Sequence, residues 1–298
     1  QIGVLTPAIA PATAASAGDS RIVNFSARAV VNGGSTIISG FAINGSQPHA
    51  VLLRAVGPSL GLFGVSGVLA APRLQLYDAG GNVVRQNQGW TTPASGLPAL
   101  IAAITSTGAF PLTAGSSDAA AVVTLPPGAY SMQILDSAGG AGGITLAEVY
   151  DAGSLSDSSR LANISLRGNV NPGSGAFISG FVLSGNAPKN LLIRGIGPSL
   201  TQFNVAGALA DPVVSVFSGA GQLLTSNDNW SQTTADGGVG ANTAALAAAA
   251  RSAGAFPLAV GSKDAAVTLT LVPGTYAVQV TGAGGATGTA LIEVYELP

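Results

Sequence analysis

Leu52-Leu53-Arg54, followed by Gly57-Pro58-Ser59-Leu60, returns later in the chain as Leu192-Ile193-Arg194 and Gly197-Pro198-Ser199-Leu200. Correspondence spreads outward from this pair in unbroken order. Upstream, Arg21-Ile22-Val23-Asn24-Phe25-Ser26-Ala27-Arg28 answers Arg160-Leu161-Ala162-Asn163-Ile164-Ser165-Leu166-Arg167, and Ser39-Gly40-Phe41 answers Ser179-Gly180-Phe181. Downstream, Phe63, Pro72, Asn87 and Trp90 answer Phe203, Pro212, Asn227 and Trp230. Gly108 to Leu112 answers Gly254 to Leu258, Pro127-Gly128 with Tyr130 answers Pro273-Gly274 with Tyr276, and Glu148-Val149-Tyr150 answers Glu293-Val294-Tyr295. A period of about 140 residues is too long for a solenoid and suits two tandem domains. The expected organisation is an N-terminal arm over 1–20, a first repeat over 21–151, a polar linker over 152–159 and a second repeat over 160–298.

Each repeat reads as all-β. Short apolar runs alternate with Gly, Pro, Asn and Asp turn signals at the spacing of a sandwich of jelly-roll or immunoglobulin-like type. Val51 to Val56 and Leu191 to Ile196 are near-continuous apolar runs, which predicts central strands covered on both faces. Asp78 to Asn82 and Ser218 to Gln222 read as hairpin turns. Ile144 to Tyr150 and Ala290 to Tyr295 are the expected closing strands. One helix per repeat is expected, over the Ala-rich Thr243 to Ala253 and, less strongly signalled, over Leu97 to Thr107.

The 298 residues hold 42 Gly and 17 Pro, only 8% charged residues, a net charge of −2, one His and no Cys. So neutral a chain lacks the basic surface that phosphate binding needs, so no nucleic-acid partner is expected. Without Cys there is no disulfide framework or thiolate metal site. No apolar run approaches the ~18 residues of a membrane-spanning helix. The chain begins at Gln1 with no basic n-region and apolar core, and is read as a mature, secreted chain.

The run R-L/I-x-N-x-S-x-R, then G-F, L-L/I-R with G-P-S-L, Trp, G-A-F-P-L, P-G-x-Y and E-V-Y resembles a largely uncharacterised family of secreted bacterial proteins. Its members carry tandem copies of this unit, often beside immunoglobulin-like modules. The closing portion from P-G-x-Y to E-V-Y is also similar to the bacterial pre-peptidase C-terminal β-sandwich. The resemblance covers nearly everything after Ser20. It implies an extracellular β-sandwich module at the bacterial surface and carries over no catalytic residues.

The sequence offers little reactive chemistry. His49 follows Pro48, its counterpart is Lys189, and it reads as a loop residue. No G-x-S-x-G nucleophile elbow occurs. The matched acids, Asp118 with Asp264 and Glu148 with Glu293, fall one of each per repeat, which favours a duplicated structural role over a duplicated active site. No enzyme, cofactor or metal centre is expected. Asn227-Asp228-Asn229 resembles part of a calcium loop, but its counterpart Asn87-Gln88-Gly89 lacks the acid. Asn24-Phe25-Ser26, Asn44-Gly45-Ser46, Asn163-Ile164-Ser165 and Asn229-Trp230-Ser231 fit the glycosylation pattern. A polar ladder on one strand face (Asn24, Ser26 and Arg28; Asn163, Ser165 and Arg167) is the preferred reading. Trp90 and Trp230 could stack on sugars, but as matched residues they read as core anchors.

Arg54 and Arg194 lie inside apolar runs, where an unpaired guanidinium would cost several kcal/mol. Glu148 and Glu293 are the natural partners. A structural ion pair that pins strand register is preferred to a clamp for a carboxylate ligand.

Gln1 to Ser20 has no repeat partner. It holds two prolines, one charge and the apolar anchors Ile2, Val4, Leu5 and Ile9. At ~3.3 Å per residue it can reach ~66 Å. That exceeds the dimensions of a domain of about 140 residues, whose radius of gyration is ~14 Å. Docked on another copy in a head-to-tail contact that does not close, such an arm makes a filament; folded back, it covers its own domain. The expected function is therefore a structural subunit of an extracellular bacterial filament or surface polymer, with other copies of itself as partners. The alternative is a secreted adhesion or carbohydrate-binding module, with glycans as partners.

Overall fold

The computed structural model describes residues 20–31, 36–140, 142–154, 157–171, 176–231 and 241–298. The fold is an all-β sandwich. The first repeat contributes β1 (Arg21–Val31), β2 (Ile37–Asn44), β3 (His49–Val56), β4 (Pro72–Asp78), β5 (Val83–Asn87), helix α1 (Leu97–Ser106), β6 (Ala119–Leu125), β7 (Gly128–Asp136) and β8 (Gly143–Asp151). The second gives the same elements in the same order. They are β9 (Arg160–Val170), β10 (Phe177–Ser184), β11 (Lys189–Ile196), β12 (Pro212–Ser218), β13 (Leu223–Asn227), α2 (Ala241–Ser252), β14 (Ala265–Leu271), β15 (Gly274–Gly282) and β16 (Gly288–Glu296).

The described strands lie in two eight-stranded sheets. Within the first repeat the hydrogen-bonded orders are β1-β8-β3-β6 and β2-β7-β4-β5; within the second they are β9-β16-β11-β14 and β10-β15-β12-β13. By packing, the chain divides into two compact units. One holds the described residues up to Ala162 together with Phe181–Gly185, and the other holds Asn163–Gly180 and Asn186–Pro298.

Side-chain alternation explains which strands sit where. In β4, Leu74 and Leu76 point inward while Arg73, Gln75 and Tyr77 point out; in β12, Val214 and Val216 are the inward pair. The hydrogen-bonded neighbours β7 and β15 supply Met132 and Ile134, and Val278 and Val280, on the same faces. Strand β3 lies between β6 and β8 and is buried on both faces from Val51 to Val56, as its apolar run, interrupted only by Arg54, leads one to expect. Each such Leu or Val contributes roughly 1.5–3 kcal/mol by leaving water.

The β4–β5 hairpin turns at Asp78, whose carboxylate accepts from the Asn82 amide at 2.9 Å, and Gly81 takes φ 80°. At the matching position Gly221 also has φ 80°. After β3 and β11 the G-P-S-L motif opens a short 3-10 helix, Pro58–Phe63 and Pro198–Phe203. Proline suits this first helical position, where its missing N–H has no partner to lose. Gly57 is required by sterics, since a Cβ there would lie 2.0 Å from the Leu69 carbonyl oxygen; Gly197 meets Leu209 at 2.1 Å in the same way.

Helix α1 lays Leu100, Ala103 and Ile104 on a cluster containing Leu52, Leu60, Ala120 and Tyr150. Helix α2 lays Leu246 and Ala250 on the matching cluster of Leu192, Trp230, Ala266 and Tyr295.

Candidate functional site

Each repeat holds a buried ion pair at the junction of β3 and β8, or of β11 and β16. Antiparallel register sets Arg54 opposite Glu148 and Arg194 opposite Glu293. Arg54 Nε lies 3.0 Å from Glu148 Oε2, and both side chains are buried. Arg54 Nη1 donates to the Phe110 carbonyl at 2.9 Å, and the guanidinium sits 4.2 Å from the Phe110 ring centroid. Tyr150 donates its hydroxyl to Glu148 Oε1 at 2.8 Å. The second repeat repeats the arrangement. Arg194 Nε donates to Glu293 Oε2 at 2.7 Å, Nη1 donates to the Phe256 carbonyl at 2.6 Å, and the ring of Phe256 lies 4.3 Å away. Tyr295 donates to Glu293 Oε1 at 2.8 Å.

The electrostatics follow from burial. Desolvation raises the Glu148 carboxyl above its ordinary value, against the pull of Arg54 and the Tyr150 hydrogen bond. Tyr150 and Tyr295 are both pushed up, first by burial and then by the glutamate each one caps. These phenols stay protonated donors. The guanidinium faces are occupied by a glutamate, a main-chain carbonyl and an aromatic ring, which accounts for Arg54 and Arg194 as strand fasteners without an external carboxylate.

Asp118 and Asp264 fasten the G-P-S-L turns. Asp118 is fully buried and accepts from the amides of Gly57 at 2.7 Å and Ser59 at 3.2 Å, and from the hydroxyls of Ser59 and Ser116. Asp264 accepts from the amides of Gly197 at 2.8 Å and Ser199 at 3.2 Å, and from the hydroxyls of Ser199 and Ser262. Main-chain donors do not show in a sequence, so this role has no direct signature beyond the repeat matching of Asp, Gly and Ser.

The expectation of a loop position for His49 is overturned. His49 opens β3, is 1% exposed and has Nε2 2.7 Å from Asp151 Oδ1. Gly153 packs so close that a Cβ there would stand 2.2 Å from His49 Cε1. The same station in the second repeat holds Lys189 and Glu296, 3.6 Å apart. The signal lay in reading Lys189 and Glu296 together, one residue beyond the E-V-Y motif.

Trp90 and Trp230 both pack against their repeat's helix-side cluster, and their indole N–H groups donate to the carbonyls of Thr113 at 3.1 Å and Ala259 at 3.2 Å. On β1, Asn24 is buried, Ser26 half-buried and Arg28 exposed, so that face grades from core to solvent. Arg21 is buried and donates to the Ser154 carbonyl at 3.0 Å. The arm residues Ile2, Val4, Leu5 and Ile9 lie outside the described residues. Among the described residues no group of three or more His, Asp or Glu side chains is placed to hold a metal ion, and no helix is long and apolar enough to cross a membrane.

Exposed apolar side chains occur on two outer strands as well as in helices and turns. Strands β5 and β13 each end a sheet, and Val83, Val84, Leu223 and Leu224 at their starts are exposed at matched positions.

No family model matches the chain, and no curated protein matches it. Among solved structures it has remote likenesses. A cycloisomaltooligosaccharide glucanotransferase from Paenibacillus sp. is 9% identical, over 91% of this chain and 47% of that one, with a TM-score of 0.22. This chain thus spans about half the length of that enzyme. A DUF4785 family protein from Legionella pneumophila is 8% identical, over 97% and 86% of the two chains, with a TM-score of 0.22. The VP2 subviral particle of infectious bursal disease virus is 11% identical, over 97% and 75%, with a TM-score of 0.17. Likenesses this distant assign no activity.

Proposed function

We propose that the protein is a structural subunit of an extracellular bacterial polymer, in which the N-terminal arm of one copy pairs with the outer strand β13 of the next. The observation that carries this reading is the composition of that edge. Sheet-ending strands expose unpaired N–H and C=O groups, and proteins usually blunt them with charge or proline. Strand β13 reads Leu-Leu-Thr-Ser-Asn, with neither, and Leu223 and Leu224 are exposed. The complementary element is the segment before Ser20, with Ile2, Val4, Leu5 and Ile9 as anchors. An extended peptide added to a sheet edge gains main-chain hydrogen bonds, and alternate side chains give it specificity. Pro7 and Pro11 confine pairing to short stretches. Because arm and edge are different surfaces, the contact is heterologous and grows linearly. Secretion to the cell surface belongs to the same proposal.

The matched acids Asp118, Asp264, Glu148 and Glu293 each hold strands or turns of their own repeat, which fits a scaffold. Leu224→Lys places a charge on the edge without touching the core. Sedimentation of the purified protein should then show loss of large species with the fold intact. Unchanged polymers would remove β13 as the acceptor.

A further inference from the structure

The two repeats differ under their helices, and a cavity lies there in the second. Counting back from Gly108-Ala109-Phe110 and Gly254-Ala255-Phe256, residues Ile101, Ile104 and Thr105 of α1 answer Ala247, Ala250 and Arg251 of α2. Ile104 is buried in the first repeat's cluster, and the smaller Ala250 takes its place in the second. Beside Ala250 lies a cavity of about 230 Å³. Leu192, Trp230, Leu246 and Ala250 form its apolar walls, and Arg194 and Arg251 line it as well. For scale, an apolar cavity of about 150 Å³ binds benzene. This space therefore admits a ring with a short substituent.

The polar groups define the substituent. The Arg194 charge is met by Glu293 at 2.7 Å, so it is locally balanced. Arg251 lies in the last turn of α2, is exposed, and stands where the first repeat has the neutral Thr105. The geometry points to a binding site for a small aromatic or cyclic carboxylate, its ring against Trp230 and its carboxylate on Arg251. This site is independent of the polymer reading. In the first repeat the bulkier Ile104 stands where the second has Ala250.

Isothermal titration of the whole chain with benzoate, and with benzyl alcohol as its neutral analogue, tests the assignment. Benzoate should bind saturably at one site per chain. Ala250→Ile restores the first repeat's residue and should lower affinity for both probes by about tenfold or more, since the filled volume can no longer relax around a ring. Arg251→Gln should weaken benzoate about tenfold and leave benzyl alcohol unchanged, by loss of a charge-assisted contact. The unaltered core gives a second readout: in the Trp90→Phe chain, indole fluorescence from Trp230 should respond to benzoate in step with the heat. No saturable benzoate binding, or binding indifferent to Ala250→Ile, overturns the site. A benzoate affinity unmoved by Arg251→Gln overturns the carboxylate assignment.

Discussion

Arg54 and Glu148 are register partners on β3 and β8, with Nε 3.0 Å from Oε2 and side chains only 0% and 3% exposed. Removing one member of so buried a pair leaves a buried charge without its counter-ion. Arg54→Leu should therefore destabilise the first repeat by ~3–5 kcal/mol. The double variant Arg54→Leu with Glu148→Leu should recover much of that loss, since no charge is stranded. Chemical denaturation of both checks this; a double variant worse than the single would contradict it.

The same pair predicts a pH dependence. Burial raises the Glu148 carboxyl above its ordinary value of 4.5, and Arg54 opposes the rise. A carboxyl raised in the folded state contributes stability that is full below the unfolded value and lost as pH climbs through the folded one. Leucine at position 54 removes the opposing charge and raises Glu148 further. The stability deficit of Arg54→Leu should thus be largest near neutral pH and shrink on acidification to about pH 4. A deficit independent of pH would mean that Glu148 is not left buried and charged.

Asp118 offers a test of the turn. Alanine there strands the buried amides of Gly57 and Ser59, while the Ser59 hydroxyl keeps Thr113 as a partner and Ser116 is only half-buried. At ~1–3 kcal/mol for each of the two orphaned amides, Asp118→Ala should cost at least about 2 kcal/mol. Asp118→Asn keeps one acceptor oxygen and should cost less. Urea midpoints decide it: an Ala variant within about 1 kcal/mol of the parent would show that the carboxylate is dispensable.

Much of this architecture is readable from the chain. The order-preserving repeat, the hairpins at Asp78 to Asn82 and Ser218 to Gln222, and the all-β class follow from periodicity and turn chemistry. Repeat matching also singles out Arg54, Glu148, Arg194 and Glu293, but the register that sets them opposite each other comes only from strand pairing. His49 was harder to place. A preceding proline signals a turn, while its partner Asp151 lies 102 positions away at the end of β8. Asp118 is legible as a matched acid, yet its partners include main-chain amides that no side-chain pattern encodes. The cavity under α2 is written in Ala250 and Ala247, and becomes legible only once Ile104 is known to fill the first repeat's core.

The central claim is that residues 1–12 link copies end to end. Burial of each large anchor among Ile2, Val4, Leu5 and Ile9 is worth ~1.5–3 kcal/mol, against ~1–2 kcal/mol per residue for ordering the backbone. In the proposed polymer, edge-strand hydrogen bonds on β13 would supply the surplus. The most direct measurement is negative-stain imaging of the 298-residue chain beside one lacking residues 1–12. Linear polymers from the first and folded, dispersed particles from the second are the predicted result; polymers that persist without the arm, or dispersed particles from the intact chain, would contradict it.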